Sequence, residues 1–310
     1  MIKHFLSIED LSKSEIEFLI ERGNFHLKNK NSEILKGKFL YNVFFEESTR
    51  TITSFQTAGM RLGASVININ MKASSTSKGE TEIDTIKNID AMGADFIAIR
   101  HGKSMTPHIC AKYVENSIML NGGDGTNEHP TQALGDLLTI YNEVVNKNFH
   151  DLKNLKIVIY GDIKNSRVAH SHIKLYNILG IKDVHLVAPP ELTYYYHDLY
   201  PNLHYHHNLQ DSLENADLII SLRAKKEYDQ SLSSIMDELK NFYSLNHDKL
   251  LKFKTKKNVK IMHPGPINRG IELSGELADD PKYSLVMKQV TSGVAMRMAI
   301  MEKMFIDNQE

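Results

Sequence analysis

A single cysteine, Cys110, stands in 310 residues, so no disulfide can form within the chain. A reducing compartment is its natural setting. Charge of neither sign is in excess: 37 Lys and Arg face 38 Asp and Glu, for a formal net charge of −1. A general nucleic-acid or membrane-surface binder needs a basic surplus, so neither nucleic acid nor membrane is expected as a partner. Long apolar runs are missing too, and none approaches the roughly 18 residues that a membrane-spanning helix requires. The segment Met1 to Phe25 carries Glu9, Asp10, Glu15, Glu17 and Glu21 in place of a basic start and an apolar stretch. A secretory leader is therefore not expected, and a cytoplasmic location is. Neither G-x-x-x-x-G-K-[ST] nor G-x-G-x-x-G occurs, which removes support for nucleoside triphosphate or dinucleotide cofactors. Ser75-Thr76-Ser77-Lys78 matches an S-x-x-K string, but no S-D-N or K-T-G accompanies it.

What is present is an ordinary globular balance, 41 % hydrophobic and 24 % charged, in a length that suits two domains of about 150 residues each. A helix is predicted over Asp10–Arg22, with Ser12 and Glu15 as a capping box and Ile16, Leu19 and Ile20 as its apolar stripe. Apolar runs predict strands at Phe39–Phe45, Ser65–Asn68, Phe96–Ile99, Ser117–Leu120, Lys156–Tyr160, Val184–Val187, Asp217–Leu222 and Val259–Met262. Helical stretches at Ser48–Leu62, Pro130–Val145, Ser166–Leu179 and Ser284–Phe305 lie between or after them. This alternation predicts an α/β protein of two domains, each a parallel β-sheet flanked by helices. The expected division is 1–134 and 150–286, with Asn146–Leu155 as the junction. The C-terminal helix, 287–310, is expected to return to the first domain on Val290, Val294, Met298, Met301 and Phe305. The stretch Tyr228–Lys257 lacks strand character and is expected to be a mobile excursion.

Ligands of open α/β sheets bind outside the carboxyl ends of the strands. Those ends carry Arg50, Arg100, Arg167 and Arg223, an uncommon gathering of cations in a neutral chain. Ser48-Thr49-Arg50-Thr51 follows a predicted strand and opens a predicted helix. Ser48 or Thr49 can cap it, and hydroxyls, helix N-terminus and guanidinium together suit a phosphate. The same string can also be an ordinary helix cap beside a stray arginine. Gly122-Gly123-Asp124-Gly125 leads to His129 and Gln132 at the next helix start, where a neutral, hydrogen-bond-donating imidazole is expected. His204, His206 and His207 lack a Cys or carboxylate at ligand spacing and are expected to face solvent, and no metal site is assigned. Cys110 has no activating motif.

These strings place the chain by resemblance. Phe45-Glu46-Glu47-Ser48-Thr49-Arg50-Thr51, Lys78-Gly79-Glu80-Thr81, Arg100-His101 and His129-Pro130-Thr131-Gln132 come in the order and spacing of the aspartate/ornithine carbamoyltransferases. So do Ser166-Arg167-Val168-Ala169 and His263-Pro264-Gly265-Pro266 with Asn268-Arg269-Gly270. The last string resembles the aspartate branch, because the ornithine branch shows H-C-L-P. The resemblance implies carbamoyl transfer from carbamoyl phosphate to the amine of L-aspartate, without metal or cofactor, because the donor is already activated. It implies that Ser48, Thr49, Arg50 and Thr51 hold the phosphate, and that Thr51, Arg100 and His129 polarise the carbamoyl oxygen. Gln132 would bind the carbamoyl nitrogen, with Gly265 and Pro266 positioning the same end. Arg167, Arg223, Lys78 and Lys225 would bind aspartate, Lys225 standing where the family has glutamine. Ser74 and Lys78 would come from a neighbouring subunit, which implies a homotrimer and allows a larger assembly. Catalysis would occur in a cleft that closes as Tyr228–Lys257 moves. Two rivals are a carbamoyltransferase with another amine acceptor, separable by product analysis, and a non-catalytic relative, whose sign would be a missing S-T-R-T, H-P-T-Q or K-G-E element.

Overall fold

Strands and helices alternate along the chain, and the strands sort into two separate parallel sheets. The computed structural model describes residues 3–71, 80–196, 199–223 and 233–309. One unit comprises Met1–Leu138 with Val290–Glu310, and the other Thr139–Gln289. Both boundaries fall inside helices, Pro130–Glu143 and Val286–Asp307, where no loop composition marks them in the sequence. No helix among the described residues is long and apolar enough to cross a membrane.

The first unit opens with α1 (Lys13–Lys28), which starts at the predicted capping box on Ser12 and Glu15. It runs past the predicted end at Arg22 because the buried stripe of Ile16, Leu19 and Ile20 continues through Gly23 and His26. Four parallel strands follow: β1 (Phe39–Phe44), β2 (Ser65–Asn70), β3 (Phe96–His101) and β4 (Ile118–Asp124), in the order β2-β1-β3-β4. β4 is buried along its whole length, as a strand covered on both faces must be. The helices here are α2 (Thr49–Arg61), α3 (Glu82–Ala91), α4 (Thr106–Cys110) and α5 (Pro130–Glu143).

The C-terminal helix, Val286–Asp307, gives its residues from Val290 onward to this unit. Its buried face is broader than the predicted stripe: Ala295, Met296, Met298, Ala299, Ile300, Met301 and Met304 are all buried, while Val290 is exposed. α5 lies against it so closely that a Cβ on Gly135 would sit 3.0 Å from Gly293 Cα, a backbone contact that favours glycine at position 135. Glu302 accepts hydrogen bonds from Arg22 and His26 on α1, and Lys303 pairs with Glu15 at 3.0 Å.

Partial burial opposes ionisation of Glu15, but hydrogen bonds from Ser12 and the Lys303 ammonium outweigh it and pull its pKa down to about 2. A carboxylate depressed on folding stabilises above its ordinary value of 4.5 and loses that contribution as pH falls toward its folded value. Glu15→Gln is therefore expected to cost about 1 kcal/mol at neutral pH, the size of a lost cap on a partly exposed helix end. The gap from the unmodified chain should narrow as pH falls below 4.5, measured by denaturant unfolding across that range.

The second unit carries β5 (Lys156–Tyr160), β6 (Asp183–Val187), β7 (Leu203–His206), β8 (Leu218–Ser221) and β9 (Lys260–Met262), parallel and in the order β7-β6-β5-β8-β9. Its helices are α6 (Arg167–Leu179), α7 (Gln210–Leu213), α8 (Ser233–Glu238), α9 (His247–Lys252) and α10 (Gly275–Asp279). The apolar pattern predicts no strand at β7, because its Leu-His-Tyr-His run is only four residues long and has no continuous apolar core.

The stretch Tyr228–Lys257 holds no strand over its described part, as expected, but it is not irregular. From Ser233 it forms α8, a π-helical turn Leu239–Tyr243 and α9, and Leu239, Tyr243, Leu245 and Leu250 are buried. Its polar composition belongs to the outer faces of short helices. Tyr228 and its neighbours to residue 232 lie outside the described residues.

Candidate active site

In each sheet the order in which successive strands are added reverses at one point, and there the carboxyl ends of two neighbouring strands leave a crevice for ligands. In the first unit that point lies between β1 and β3. The loop after β1 carries Ser48, Thr49, Arg50 and Thr51, and β3 ends in Arg100. Phe44 and Arg100 are register partners on the two strands. The predicted phosphate string and the predicted oxyanion arginine therefore stand at the switch point of one sheet.

Ser48 occupies the N-cap position of α2, yet its hydroxyl makes no cap hydrogen bond. By contrast Ser12, Thr81 and Ser166 each accept from an amide three residues on. Of the two capping candidates, Ser48 and Thr49, Ser48 takes the N-cap position, but its hydroxyl is not tied to the helix's own amides. Thr49 and Arg50 are exposed on the first turn, and Thr51 is buried beside them. A helix N-terminus with hydroxyls and a guanidinium around it is suited to a phosphate dianion.

Arg100 is held in a fixed plane. Its Nη1 donates to the Gly122 carbonyl at 3.0 Å, and its Nε lies 3.3 Å from Glu46 Oε2. The turn from β4 toward α5 is organised by Asp124, fully buried, whose carboxylate accepts from Asn121, Met105, Asn127 and Glu128. Gly125, at φ +50°, could not be replaced there, since a Cβ would collide with the hydroxyl and backbone of Ser104. That turn delivers His129, 5 % exposed, to the start of α5, where its carbonyl accepts from Gln132 and Ala133. Gln132 Nε2 donates to Asp136 Oδ1 at 2.8 Å, which leaves Oε1 as the amide's acceptor atom.

In the second unit the switch point lies between β5 and β8. Arg167 opens α6 after β5, behind Ser166, whose Oγ accepts from Ala169 N at 3.2 Å. Arg223 comes after β8 and is half-buried. Gly265 and Pro266 come after β9, joined by a cis peptide bond. His263 fixes that turn, accepting from Gly265 N at Nδ1 and lying 3.1 Å from Glu272 through Nε2.

The first sheet thus carries Ser48, Thr49, Arg50, Thr51, Arg100, His129 and Gln132 at its carboxyl rim. The second carries Arg167, Arg223, Gly265 and Pro266 at its own. Ser74, Lys78 and Lys225 lie outside the described residues.

The orienting carboxylates Glu46, Asp124 and Asp136 received no role from the motifs. Only Asp136 had a legible signal, its position four residues after Gln132 on one helix face. Beside the first rim, burial lowers the pKa of His101 although Glu82, 3.3 Å from its Nε2, favours the charged form. Cys110 is fully buried, and burial pushes its thiol up to about 11, so it is no thiolate nucleophile at neutral pH.

This arrangement, two switch-point rims rich in Arg, Thr and Ser, has known counterparts. Residues 3–142 match the carbamoyl-P binding domain of the aspartate/ornithine carbamoyltransferases, and residues 153–304 match their Asp/Orn binding domain. The chain belongs to the aspartate/ornithine carbamoyltransferase family. Within it, the aspartate carbamoyltransferase catalytic subunit of Campylobacter jejuni (strain 81116) is 40 % identical over 312 residues, spanning 99 % of this chain and 100 % of that one. The corresponding subunit of Coxiella burnetii is 40 % identical over 307 residues, 96 % of this chain and 95 % of that one. Among solved structures, aspartate transcarbamoylase from Trypanosoma cruzi with carbamoyl aspartate and phosphate matches at TM-score 0.85 and 31 % identity, covering 97 % of this chain and 95 % of that one. The same enzyme with N-(phosphonacetyl)-L-aspartic acid matches at TM-score 0.85 and 30 % identity, with 97 % and 95 % coverage. The resemblance drawn from the motifs is borne out along the chain.

Proposed function

We propose that the chain catalyses transfer of the carbamoyl group from carbamoyl phosphate to the amine of L-aspartate, giving N-carbamoyl-L-aspartate and phosphate. The observation that carries this reading is the Ser48–Thr51 string and Arg100 at one switch point, in a chain 40 % identical along its length to aspartate carbamoyltransferase catalytic subunits.

Residues 1–134 with the C-terminal helix 287–310 serve as the carbamoyl-phosphate domain, and 150–286 as the aspartate domain. Ser48, Thr49, Arg50 and Thr51 hold the phosphate. Thr51, Arg100 and His129 face the carbonyl oxygen, and Gln132 Oε1 accepts from the carbamoyl N–H. Gly265 and Pro266 position the same group, while Arg167, Arg223 and Lys225 bind the two carboxylates.

The uncharged amine of aspartate attacks the carbonyl carbon, and an oxyanion develops. The bond from that carbon to the phosphate oxygen then breaks, and the departing phosphate takes the amine proton. Preorganised donors facing the oxyanion are the main catalytic device, and holding both substrates in line supplies much of the rest. Ser74 and Lys78 are assigned to a neighbouring copy, so the working unit is a homotrimer, in the cytoplasm.

The test is an assay of the purified chain with carbamoyl phosphate and either L-aspartate or L-ornithine, with a mass measurement of the native assembly. Carbamoylaspartate from the first and no product from the second is expected. A carbamoylated ornithine, or no product from aspartate, would overturn the assignment; a monomeric mass would overturn the shared site.

A further inference from the structure

β6 and β7 are neighbours in parallel register, with His185 opposite His204 and Val187 opposite His206. Side chains alternate along a strand, so Asp183 and His185 share one face of β6, and His204 and His206 share one face of β7. The four meet. His185 Nε2 lies 2.7 Å from Asp183 Oδ1, His204 Nε2 lies 4.0 Å from the same oxygen, and His185 Nδ1 lies 2.8 Å from His206 Nε2. One ligand atom from each of Asp183, His185 and His204 falls within 4.8 Å of the others. The carboxylate that the histidines lack in their own segment is supplied by the adjoining strand.

From this geometry we propose a binding site for a first-row transition-metal dication, zinc above all, ligated by Asp183, His185 Nε2 and His204 Nε2, with water in the fourth position. Two imidazoles and a carboxylate are a suitable donor set for such an ion. Zn–N and Zn–O bonds of about 2.0–2.2 Å place tetrahedral ligand atoms about 3.3 Å apart, so the observed 2.7 and 4.0 Å each need less than an ångström of adjustment, and the two imidazole nitrogens, within 4.8 Å of each other, need about 1.5 Å at most. His204 is exposed and closes the wider gap by rotation.

The proton balance also works. Without metal, His185 Nε2–H donates to Asp183, and Nδ1 accepts from His206 Nε2–H. On binding, the metal–Nε2 bond replaces the Nε2–H bond, His185 carries its proton on Nδ1 and donates it to His206 Nε2, and His206 carries its own on Nδ1. Both rings change tautomer with no net proton release, and His206 becomes the outer partner that orients a ligating histidine. The other charged groups bearing on the cluster are Lys156, which opposes a cation but is tethered to the Glu214 carbonyl at 2.9 Å, and Asp211, which favours one.

The site lies toward the amino-terminal ends of its strands, away from the rim that holds Arg167 and Arg223. Its expected effect is to staple the four-residue edge strand β7 to the sheet.

Chelator-treated protein titrated with Zn(II) by calorimetry, and with Co(II) by visible absorption, decides the matter. A single saturable site per chain, micromolar or tighter, should appear with tetrahedral Co(II) bands and a Tm that rises with Zn(II). Binding should vanish in His204→Ala and in Asp183→Asn and persist in His150→Ala, an exposed histidine elsewhere, with carbamoyl transfer unchanged in all three. Absence of a saturable site, or binding that survives either of the first two substitutions, would overturn the proposal. Neither result bears on the transferase reading, which the product assay tests separately.

Discussion

Replacing Arg100 with alanine is expected to lower kcat for carbamoylaspartate formation by about 10²–10³, the usual consequence of deleting one preorganised oxyanion donor. The expectation rests on how the guanidinium is held. Its Nη1 is fixed on the Gly122 carbonyl, and its Nε faces Glu46, so its plane is set before any substrate arrives. A donor already oriented costs no reorganisation as the oxyanion forms, and that makes its contribution specific to the transition state. Arg100→Lys should recover little, because a point charge on a flexible stem cannot reproduce a planar guanidinium anchored on the Gly122 carbonyl. The fold should survive, since the side chain reaches the strand-end rim and takes no part in the hydrophobic core. The measurements are steady-state kinetics in both substrates beside a thermal melt. A kcat within a few-fold of the unmodified protein, at unchanged melting, would remove Arg100 from the oxyanion role.

That prediction could be framed from sequence because the strand ends were legible. Parallel strands buried on both faces must be nearly continuous in Val, Ile and Leu, and stretches such as Lys156–Tyr160 announce themselves by that property. The residues just past each run then stand at the carboxyl rim. The order of strands was not legible, because pairing of β1 with β3, or of β5 with β8, is a long-range choice that no local pattern encodes. The switch points, and hence the reason that Arg50 stands beside Arg100's strand and Arg167 beside Arg223's, emerge only with that order.

The same limit hid Asp183. His204 and His206 looked like lone polar residues, because their carboxylate lies on a different strand, some twenty positions earlier in the chain, and their own strand has no apolar signature. Composition also misled over the stretch after Ser233, where short helices bury Leu239, Tyr243 and Leu250 beneath a polar exterior.

Asp136→Ala is expected to destabilise the first unit by about 3–5 kcal/mol, the cost of stranding a buried charge without its partner. Asp136 is fully buried on α5, and Arg297, on the C-terminal helix, is 3 % exposed. The guanidinium donates to the Gly293 carbonyl at 3.0 Å and lies 5.0 Å from the centroid of Phe55, itself fully buried on α2. Burial depresses the Arg297 pKa to about 10, and the Asp136 carboxylate is what opposes that fall. Without it a cation would remain among Phe55 and the close-packed glycines of two helices, in a medium that solvates it poorly. Asp136→Asn separates two roles. It keeps an acceptor for Gln132 Nε2 while deleting the charge, so most of the stability loss should remain while KM for carbamoyl phosphate changes little. Arg297→Met placed on Asp136→Ala should recover part of the loss, because the charge that needed a partner is then gone. Denaturant unfolding of the single and double variants checks both statements. A loss under about 1 kcal/mol for Asp136→Ala would mean that Arg297 is satisfied without it, since a surface-like pair contributes no more than that.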